Sequence, residues 1–435
     1  MNLFSYIRER NIRPKLQEEI DFYSSISKSE IQKVQLEAFN QIWQGIQENV
    51  PYYKKLIEEK RVPKQITSIN DFKEFPIISR EYVRENIELF INKSKPADKW
   101  SSTGGSTGTP LQFPIWNEQG KLYESSIWYA RSFYNIKRSD RMFRLWGHSH
   151  TLGTGLTRLK NQIKFSIGLP LIGFKRFSAY DLSEERIREA GKQIIEFKPD
   201  YIIGYSKAIN ILARVNEDRK SEFHRLNLKA VMGAAEGFEN ESDIEYISSI
   251  FGCPVGMEYG SMEANLMAHT HPDGTFKVIW RRNLIESVDE YGESSNQGRI
   301  LITTLYNRAF PLIRYELGDI ISGCEKNGIS VYSFKEIKGR DNDFLILEDG
   351  TPIHSEGITH AIKFSEKIAA YQIRYTKDKV YTIYVRSNEK VNDDDIQEIR
   401  KRLGQVDPRL SSMKIKQVDQ LKQTIAGKTN WLMEE

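Results

Sequence analysis

The 435-residue sequence contains only two cysteines, Cys253 and Cys324, and seven histidines. Two cysteines cannot build a disulfide framework, and so low a number is typical of a protein from a reducing compartment. The N-terminal stretch MNLFSYIRERNIRPK has neither a long apolar core nor a small-residue cleavage site. We therefore expect no secretory signal and a cytoplasmic location.

Long hydrophobic runs are also missing. The most apolar candidate, KNQIKFSIGLPLIGFKRF, is interrupted by Gly and Pro, whereas a membrane helix needs about 20 apolar residues. Neither charge sign dominates, because 63 basic and 59 acidic residues are interspersed and give a formal net charge of +4. Nucleic-acid-binding proteins more often concentrate Lys and Arg on one face. We predict neither a membrane span nor a nucleic-acid partner, and the oligomeric state stays open, with a homodimer among the alternatives.

The hydrophobic patterns predict an α/β fold. Residues 1 to about 95 are expected to be mostly helical, because IQKVQLEAFNQIWQGI and REYVRENIELFI repeat apolar residues at helical spacing. Further along, the apolar strands RMFRLWG, YIIGY, LKAVMGA and VGMEYG alternate with the amphipathic helices EERIREAGKQIIEF and SKAINILARVNED. This alternation favours a buried, partly parallel sheet. Two later segments, GRILITTLY and PLIRYELGDII, are predicted to be further strands.

The last 95 or so residues follow another pattern. KVYTIYVRS alternates like a half-buried strand, and MKIKQVDQL is predicted to be a strand as well. Between them lies the predicted helix DDDIQEIRKRL, with acidic residues in its first turn and basic residues in its last. We therefore expect a large N-terminal domain over residues 1–338 and a small α+β domain over residues 339–435.

A loop rich in small polar residues, SSTGGSTGTP at 101–110, separates two predicted strands. Its backbone N–H groups and hydroxyls are suited to wrapping phosphate oxygens. It lacks the Lys-Ser/Thr ending of a Walker loop and does not match G-x-G-x-x-G. A solvated linker is the alternative interpretation from composition alone.

Three acidic residues follow small turn motifs near predicted strand ends: Glu236 in GAAEG, Glu263 in EYGSMEA and Asp319 in RYELGDI. Ligands gather at strand ends in α/β sheets, and a carboxylate there can hold Mg²⁺ or a ribose hydroxyl. Each of them, taken alone, is better explained as a surface-turn acid. The same holds for Arg340 in KGRDNDFL, as part of a charged turn, and for Lys428 in TIAGK, as a solvated lysine.

Together and in this order, these stretches resemble the motifs of adenylate-forming enzymes. SSTGGSTGTP resembles their phosphate-binding loop, EYGSMEA their Y-G-x-[ST]-E motif, and RYELGDI their Y-x-T-G-D motif. KGRDNDFL is similar to their G-R-x-D hinge, and TIAGK to their C-terminal T-x-x-G-K motif. PYYKKL, FPIISREYVREN, KPDYIIGYSKAINILA and NRAFPLIRYELGDII resemble the phenylacetate-CoA ligase and CapK-like branch. The resemblance covers nearly the whole chain and implies that the small domain is a mobile lid.

The resemblance implies an AMP-forming ligase that activates a small carboxylic acid with ATP and Mg²⁺ and releases pyrophosphate. Lys428 would bridge the substrate carboxylate and the α-phosphate, and Glu263 would bind Mg²⁺ on the phosphates. The acyl group would pass to CoA or to an amine or sugar acceptor, and the CapK-like branch suggests polysaccharide biosynthesis. The β- and γ-phosphates would be held by loop residues Ser102, Thr103, Gly105, Ser106, Thr107 and Gly108.

The nucleoside of ATP would be bound by residues of the other motifs. Tyr259 would stack on adenine, next to Gly260 and Glu236. Asp319 would accept hydrogen bonds from both ribose hydroxyls, and Arg340 would reinforce that contact. The acyl pocket is expected to include Trp146, His148 and Tyr205, with His150 as a further candidate, although core or surface roles are equally compatible with these residues.

The sequence departs from the family pattern at several positions. Met262 replaces a Thr or Ser that meets the α-phosphate, Leu317 replaces the threonine of Y-x-T-G-D, and Asn342 replaces the hinge aspartate. The loop also lacks the lysine that many relatives carry after its proline. Some relatives bind zinc through Cys and His after the Y-G-x-x-E motif, but His269 and His271 have no nearby cysteine, so a zinc site stays open as the less favoured alternative.

Two other functional classes remain as alternatives. A non-catalytic homologue that still binds ATP and acid would be compatible with Met262. A serine hydrolase is suggested by GYSKA around Ser206, which loosely matches G-x-S-x-G but lacks the final glycine and any marked histidine partner.

Overall fold

The computed structural model describes residues 3–102, 111–147, 168–238, 241–338, 344–362, 367–376, 380–387, 389–422 and 431–435. Five helices of this part of the chain lie before residue 95, and the others alternate with strands or lie near the C-terminus. In chain order they are α1 (Leu3–Ser25), α2 (Ile31–Asn49), α3 (Pro51–Glu58), α4 (Arg80–Glu85), α5 (Ile87–Phe90), α6 (Asn117–Ser132), α7 (Leu169–Leu171), α8 (Glu184–Phe197), α9 (Ser206–Val215), α10 (Lys220–His224), α11 (Glu241–Phe251), α12 (Ser355–Ile362) and α13 (Asp393–Val406).

The strands of the described residues fall into three larger sheets and two hairpins. They are β1 (Lys99–Ser102), β2 (Gln112–Ile115), β3 (Met142–Trp146), β4 (Phe174–Ser178), β5 (Tyr201–Tyr205), β6 (Ala230–Ala234), β7 (Val255–Ser261), β8 (Asn265–Thr270), β9 (Phe276–Val278), β10 (Asn283–Val288), β11 (Gln297–Thr304), β12 (Tyr315–Ser322), β13 (Glu325–Asn327), β14 (Ser330–Phe334), β15 (Glu336–Lys338), β16 (Phe344–Ile346), β17 (Pro352–His354), β18 (Ile368–Tyr375), β19 (Tyr381–Ser387), β20 (Lys414–Gln417) and β21 (Leu432–Glu434).

A nine-stranded sheet has the order β13-β14-β9-β8-β7-β6-β5-β3-β4. Strands β4, β3, β5, β6 and β7 are parallel neighbours, and the pairs from β7 to β13 are antiparallel. Every residue of β5 and β6 is buried, which explains their continuous apolar sequences. Helix α8 joins β4 to β5 and buries residues at helical spacing, from Ile187 to Phe197. The predicted α/β class with a partly parallel sheet is therefore confirmed.

A second, antiparallel sheet has the order β10-β11-β12-β15. One hydrophobic cluster joins this sheet to helices α2 and α3 and to the segment 62–90. The N-terminal helical region therefore packs on the sheet that contains the RYELGDI motif. A separate cluster fills the space between the parallel strands and helices α8, α9 and α11.

The C-terminal strands form a third sheet of order β20-β19-β18-β21, which packs with α12 and α13. Their hydrophobic core includes Leu345, Ile373 and Trp431, and Tyr180 is the member contributed from outside the C-terminal part. Next to Tyr180, Asp181 forms an antiparallel bridge with Ile353. The smaller C-terminal unit thus has its own α+β core, which receives one tyrosine from the segment after β4.

Two sequence expectations about element ends were wrong. Helix α13 continues to Val406, so the basic residues of DDDIQEIRKRL lie one turn before its end and no basic residue is found in its last turn. In PLIRYELGDII, β12 begins only at Tyr315, because Arg314 has a left-handed φ of 49° that is incompatible with a strand. Among the described helices, none is long and apolar enough to cross a membrane.

Candidate active site

Two β-bulges position the residues of the YG and GD motifs. In β7 the register with β8 shifts between Tyr259 and Gly260, and a side chain at 260 would lie 2.3 Å from the carbonyl oxygen of Asn265. In β12 the register with β11 shifts around Asp319, where Gly318 has a φ of 90°. Bulges redirect side chains out of the regular alternation, and glycine permits the close approach or positive φ that each one needs.

The two bulges bring Tyr259 and Asp319 into contact. The Tyr259 hydroxyl donates a hydrogen bond of 2.8 Å to Oδ2 of Asp319. The Tyr259 ring is half-buried and meets Phe334 edge-on at 6.3 Å between ring centroids. The residue expected at adenine is therefore bonded directly to the residue expected at ribose.

Glu263 follows Tyr259 in the same motif and has a buried carboxylate. The side chain is only 4% exposed, and Oε1 accepts a 3.1 Å hydrogen bond from the hydroxyl of Tyr315. The guanidinium of Arg80 lies 4.0 Å from the same oxygen. A buried carboxylate is stable as an anion only when positive charge or hydrogen-bond donors surround it. Arg80 and Tyr315 supply these in the structure.

Glu263 fits the requirements of a Mg²⁺ ligand. Mg²⁺ prefers hard oxygen donors and is commonly held by one or two carboxylates together with substrate phosphates. Glu263 supplies one such carboxylate, in a shielded position close to a basic residue. Within the described ranges no group of three or more His, Cys, Asp or Glu residues could hold a metal by itself.

Glu236 follows β6 at a strained turn. Ala235 has a left-handed φ of 69°, which is costly for alanine. The carbonyl of Glu236 accepts a 2.7 Å hydrogen bond from the Ser206 hydroxyl, and its Oε1 accepts a 3.0 Å bond from the Lys207 amide. Its carboxylate therefore satisfies the first turn of α9, where negative charge is favourable. The adenine-side role of Glu236 remains a prediction.

A largely buried charge network includes Glu258, the residue before Tyr259 in β7. The Arg131 guanidinium forms two bonds with the Glu258 carboxylate, of 2.6 and 3.2 Å. Burial disfavours the charge of Glu258, but Arg131 outweighs it and lowers the pKa of the carboxyl group. His269 is fully buried, with Nε2 4.0 Å from Glu258, and burial lowers the pKa of its imidazole. The strand that carries Tyr259 is thus held by a bidentate ion pair.

The rings of the expected acyl-pocket residues Trp146 and Tyr205 contact each other in a tilted arrangement, with ring centroids 4.4 Å apart. Tyr205 is 1% exposed, and its oxygen accepts a 3.2 Å hydrogen bond from the Gly147 amide. Both rings pack on the core cluster of the parallel strands. The structure therefore gives them a packing function, and their contact with a substrate stays a prediction.

Several of the expected site residues lie outside the described residues. Ser102 is described, and it is an exposed residue at the end of β1, paired with Gln112. The expected residues that lie outside the described part of the chain are Thr103, Gly105, Ser106, Thr107, Gly108, His148, His150, Arg340, Asn342 and Lys428.

The departures from the family motifs have different surroundings. Met262 is 50% exposed beside buried Glu263, whereas Leu317 is 8% exposed and belongs to the hydrophobic cluster under the second sheet. Leu317 is therefore explained by packing, and nothing in the structure explains Met262.

Of the residues considered above for a zinc site, His271 lies 3.1 Å from Asp273. Burial raises the pKa of the Cys253 thiol to about 12 and keeps the thiol protonated.

No family model matches the chain, but it has curated relatives. Protein CapK of Staphylococcus aureus is 23% identical over 390 residues, which cover 85% of this chain and 81% of CapK. The chain is a relative of CapK and of the phenylacetate-coenzyme A ligases. The phenylacetate-coenzyme A ligase of Aromatoleum evansii is 24% identical over 394 residues, which cover 84% of each chain. The resemblance to the phenylacetate-CoA ligase and CapK-like branch is thereby confirmed.

Solved structures share the fold over nearly the full length. The 2-hydroxyisobutyryl-CoA ligase, in complex with 2-HIB-AMP and CoA in the thioesterification state, aligns with a TM-score of 0.59 at 18% identity, covering 94% of this chain and 91% of the ligase. Its open conformation gives a TM-score of 0.57 at 17% identity, covering 93% and 91%. The fold is therefore that of adenylate-forming ligases, with a large N-terminal and a smaller C-terminal part.

Two residues that contact Glu263 had no role predicted from the sequence. Tyr315 is the first residue of the RYELGDI motif after Arg314, and Arg80 lies in the stretch FPIISREYVREN. Both stretches were recognised as family-like. The missing signal was spatial, because nothing in the spacing indicates that these segments converge on one carboxylate.

Proposed function

We propose that this chain is an AMP-forming acid ligase. In the first half-reaction a carboxylate oxygen of the acid attacks the α-phosphorus of ATP. The bond between that phosphorus and the oxygen bridging to the β-phosphate breaks, and pyrophosphate leaves. In the second half-reaction a thiol or amine attacks the acyl carbon of the acyl-adenylate, AMP leaves, and the proton of the acceptor is released.

The observation that carries this proposal is that two hydrogen bonds join the EYGSMEA motif to the RYELGDI motif. Tyr259 bonds to Asp319 at 2.8 Å, and Tyr315 bonds to Glu263 at 3.1 Å. The residues come from separate stretches of the sequence and from two different sheets. An aromatic ring next to a carboxylate suits a purine and a ribose, and a second, buried carboxylate nearby suits a cation on the phosphates.

Each residue has a defined part in the proposed reaction. Tyr259 orients the Asp319 carboxylate, which accepts hydrogen bonds from ribose hydroxyls. Glu263 would hold Mg²⁺, and the bound ion would neutralise charge on the phosphates. Lys428 would stabilise the negative charge that develops between the acid and the α-phosphate. The joining of two anions requires such positive groups, because their mutual repulsion would otherwise dominate.

Our proposal for the acyl acceptor is less specific than that for the adenylation step. CoA is the acceptor we propose first, since the names of most relatives describe coenzyme A ligases. An amine or sugar acceptor in polysaccharide biosynthesis is the second proposal and rests on the relationship to CapK. We also propose that residues 339–435 act as a mobile lid, because their hydrophobic core is largely their own.

The geometry does not favour the serine hydrolase alternative. Ser206 is fully buried, and its hydroxyl donates to the carbonyl of Glu236 instead of facing a histidine. A nucleophilic serine needs a general base within hydrogen-bond reach and access to substrate. We therefore assign Ser206 a structural role at the start of α9.

The test is acid-dependent exchange of radiolabelled pyrophosphate into ATP, using a panel of carboxylic acids with and without CoA. We expect exchange with at least one acid, and a thioester when CoA is the acceptor. Hydroxylamine trapping of the adenylate provides a second readout that needs no natural acceptor. A protein that binds ATP and yields no exchange with any acid would instead be the non-catalytic homologue.

A further inference from the structure

Arg80 is a basic residue at the site that the reaction described above does not use. It begins α4, and its guanidinium lies 4.0 Å from Oε1 of Glu263. Its side chain is 24% exposed, whereas that of Glu263 is 4% exposed. The carboxylate is therefore enclosed, while the Arg80 side chain is still partly exposed.

Backbone hydrogen bonds hold the segment before Arg80 against the site. The amide of Ile78 donates to the carbonyl of Arg314 at 3.1 Å, and the amide of Glu316 donates to the carbonyl of Ile78 at 2.9 Å. Ile78 thereby forms a parallel bridge with Tyr315, the residue whose hydroxyl bonds to Glu263. Arg80 and Tyr315 are positioned on Glu263 by the same short stretch of paired backbone.

The Arg314 side chain reinforces this attachment. Its guanidinium donates 3.2 Å hydrogen bonds to the carbonyls of Lys73 and Phe75 and forms a buried 3.1 Å ion pair with Glu286. The chain leading to Arg80 is therefore fixed at several points. A charged side chain carried by such a segment is preorganised, so less entropy is lost when it binds a ligand.

The separation between Arg80 and Glu263 is longer than a hydrogen bond. A distance of 4.0 Å gives Coulomb attraction but uses none of the five guanidinium N–H donors in a normal bond to that oxygen. In the part of the chain that the structure describes, Glu263 is the one ion-pair partner of Arg80. Planar guanidinium groups bind phosphate oxygens with two parallel hydrogen bonds, which makes a phosphate a better-matched partner.

We propose that Arg80 binds the β- or γ-phosphate of ATP and, in the reverse direction, pyrophosphate. This inference rests on the proposed function, in which Glu263 faces the cation on the same phosphates. Without nucleotide, Arg80 balances the buried negative charge of Glu263. With nucleotide, its N–H donors bind phosphate oxygens and stabilise the pyrophosphate that leaves.

The experiment compares ATP and AMP binding by calorimetry in wild type, Arg80→Gln and Arg80→Lys, each with Mg²⁺ and with EDTA. Arg80→Gln should weaken ATP binding about ten- to a hundredfold, as expected for the loss of a charge-assisted contact. AMP binding should be unchanged, because AMP has no β- or γ-phosphate. Arg80→Lys should retain part of the ATP affinity, since it keeps the charge and loses the bidentate geometry.

The EDTA arm separates direct contact from an effect through Glu263. If Arg80 binds phosphate itself, the loss of ATP affinity persists without metal, and the KM for pyrophosphate in the exchange assay rises by a similar factor. A loss seen only with Mg²⁺ would mean that Arg80 acts by holding Glu263, and the proposal would be wrong. An equal loss for AMP and ATP, or no loss for either, would also overturn it.

The matched control is Arg61→Gln, which removes a guanidinium of the same N-terminal region. Arg61 is 58% exposed and lies 3.5 Å from the exposed Glu59, so its replacement should leave both affinities unchanged. Wild-type protein that fails to bind ATP at all would overturn the proposed function and this inference together. If the wild-type protein exchanges pyrophosphate and the Arg80→Gln variant binds ATP as tightly as the wild type, this inference alone would be overturned.

Discussion

The hydroxyl of Tyr259 donates a 2.8 Å hydrogen bond to Oδ2 of Asp319. This bond connects the nine-stranded sheet to the antiparallel sheet β10-β11-β12-β15. It orients one oxygen of the carboxylate and directs the aromatic ring beside it. The nucleoside-binding surface that we propose would therefore combine residues of two sheets, joined by this phenol–carboxylate contact.

The Tyr259–Asp319 pair should behave as one unit in nucleotide binding. We expect Asp319→Ala to weaken ATP binding about ten- to a hundredfold, because charge-assisted bonds to the ribose are lost. Tyr259→Phe keeps the ring and should cost less, about threefold to tenfold. In the Asp319→Ala background, Tyr259→Phe should add little further loss by calorimetry. Fully additive losses would show that the two residues act independently.

The carboxylate of Glu263 should account for the metal dependence. We expect Glu263→Gln to raise the Mg²⁺ concentration needed for pyrophosphate exchange and to lower the maximal rate severely, because an amide keeps the size but loses the charge that holds a hard cation. Tyr315→Phe is the matched control, since it removes the neighbouring hydrogen bond and keeps the carboxylate. Wild-type exchange by Glu263→Gln at limiting Mg²⁺ would remove Glu263 from the metal site.

Lys428 should separate the two half-reactions. Lys428→Ala is expected to slow adenylate formation about a hundred- to a thousandfold, the loss typical of one group that stabilises developing negative charge. Transfer from a supplied acyl-adenylate to the acceptor should stay near wild type, because that step no longer joins the acid to phosphate. Equal loss in both steps would indicate a misfolded C-terminal part, and loss in neither would discard the assignment.

Burial of His269 should make the fold sensitive to moderate acid. Its pKa is lowered in the folded protein from the ordinary value of 6.5, so the unfolded chain binds the proton more readily. The stabilisation is therefore complete above about pH 6.5 and is lost as the pH falls from there towards the folded pKa, by at most about 1.4 kcal/mol per pH unit.

This pH effect is measured by urea unfolding between pH 5 and 8. We expect His269→Gln to flatten the decline below pH 6.5, whatever its effect on stability at pH 8. The neighbouring Glu258, whose pKa is lowered from 4.5 chiefly by Arg131 acting against burial, should contribute only at lower pH. An identical slope in wild type and His269→Gln would contradict the assignment.

The buried ion pair between Arg314 and Glu286 should be a large local contribution to stability. The two side chains are only 6% and 3% exposed and lie 3.1 Å apart. Arg314→Met would leave an unpaired buried carboxylate and is expected to destabilise the fold by about 3–5 kcal/mol. The double variant Arg314→Met/Glu286→Met should recover part of that loss in chemical unfolding. No recovery would mean that the backbone bonds of Arg314 dominate its effect.

The sequence predicted best those elements whose periodicity follows directly from burial. The strand Tyr201–Tyr205 and the helix Glu184–Phe197 match their predicted segments, because a two-sided core selects a continuous apolar run and a one-sided core selects helical spacing. The segment before β12 was misjudged, since the left-handed φ of Arg314 is imposed by its distant hydrogen bonds to Lys73 and Phe75.

The candidate site was predictable only in part. Motif order indicated Tyr259, Glu263 and Asp319 as site residues, and in the structure Tyr259 bonds to Asp319 while Glu263 bonds to Tyr315. Motif order could not show that Tyr259 bonds to Asp319, that Glu236 accepts a bond from the first turn of α9, or that Arg80 lies close to Glu263. These contacts join segments that are far apart in the chain. Such relations depend on tertiary packing, which local spacing does not encode.

Tyr180 implies an energetic preference between orientations of the two parts of the molecule. Its ring is buried in the C-terminal core although it belongs to the segment after β4, and a side chain at Gly357 would lie 2.8 Å from that ring. A rotating lid must either keep Tyr180 and drag its segment along, or expose an aromatic ring at a cost of about 1.5–3 kcal/mol. The second route would bias the equilibrium about ten- to a hundredfold towards the present arrangement, so that the burial of Tyr180 would determine what fraction of the molecules adopts each orientation.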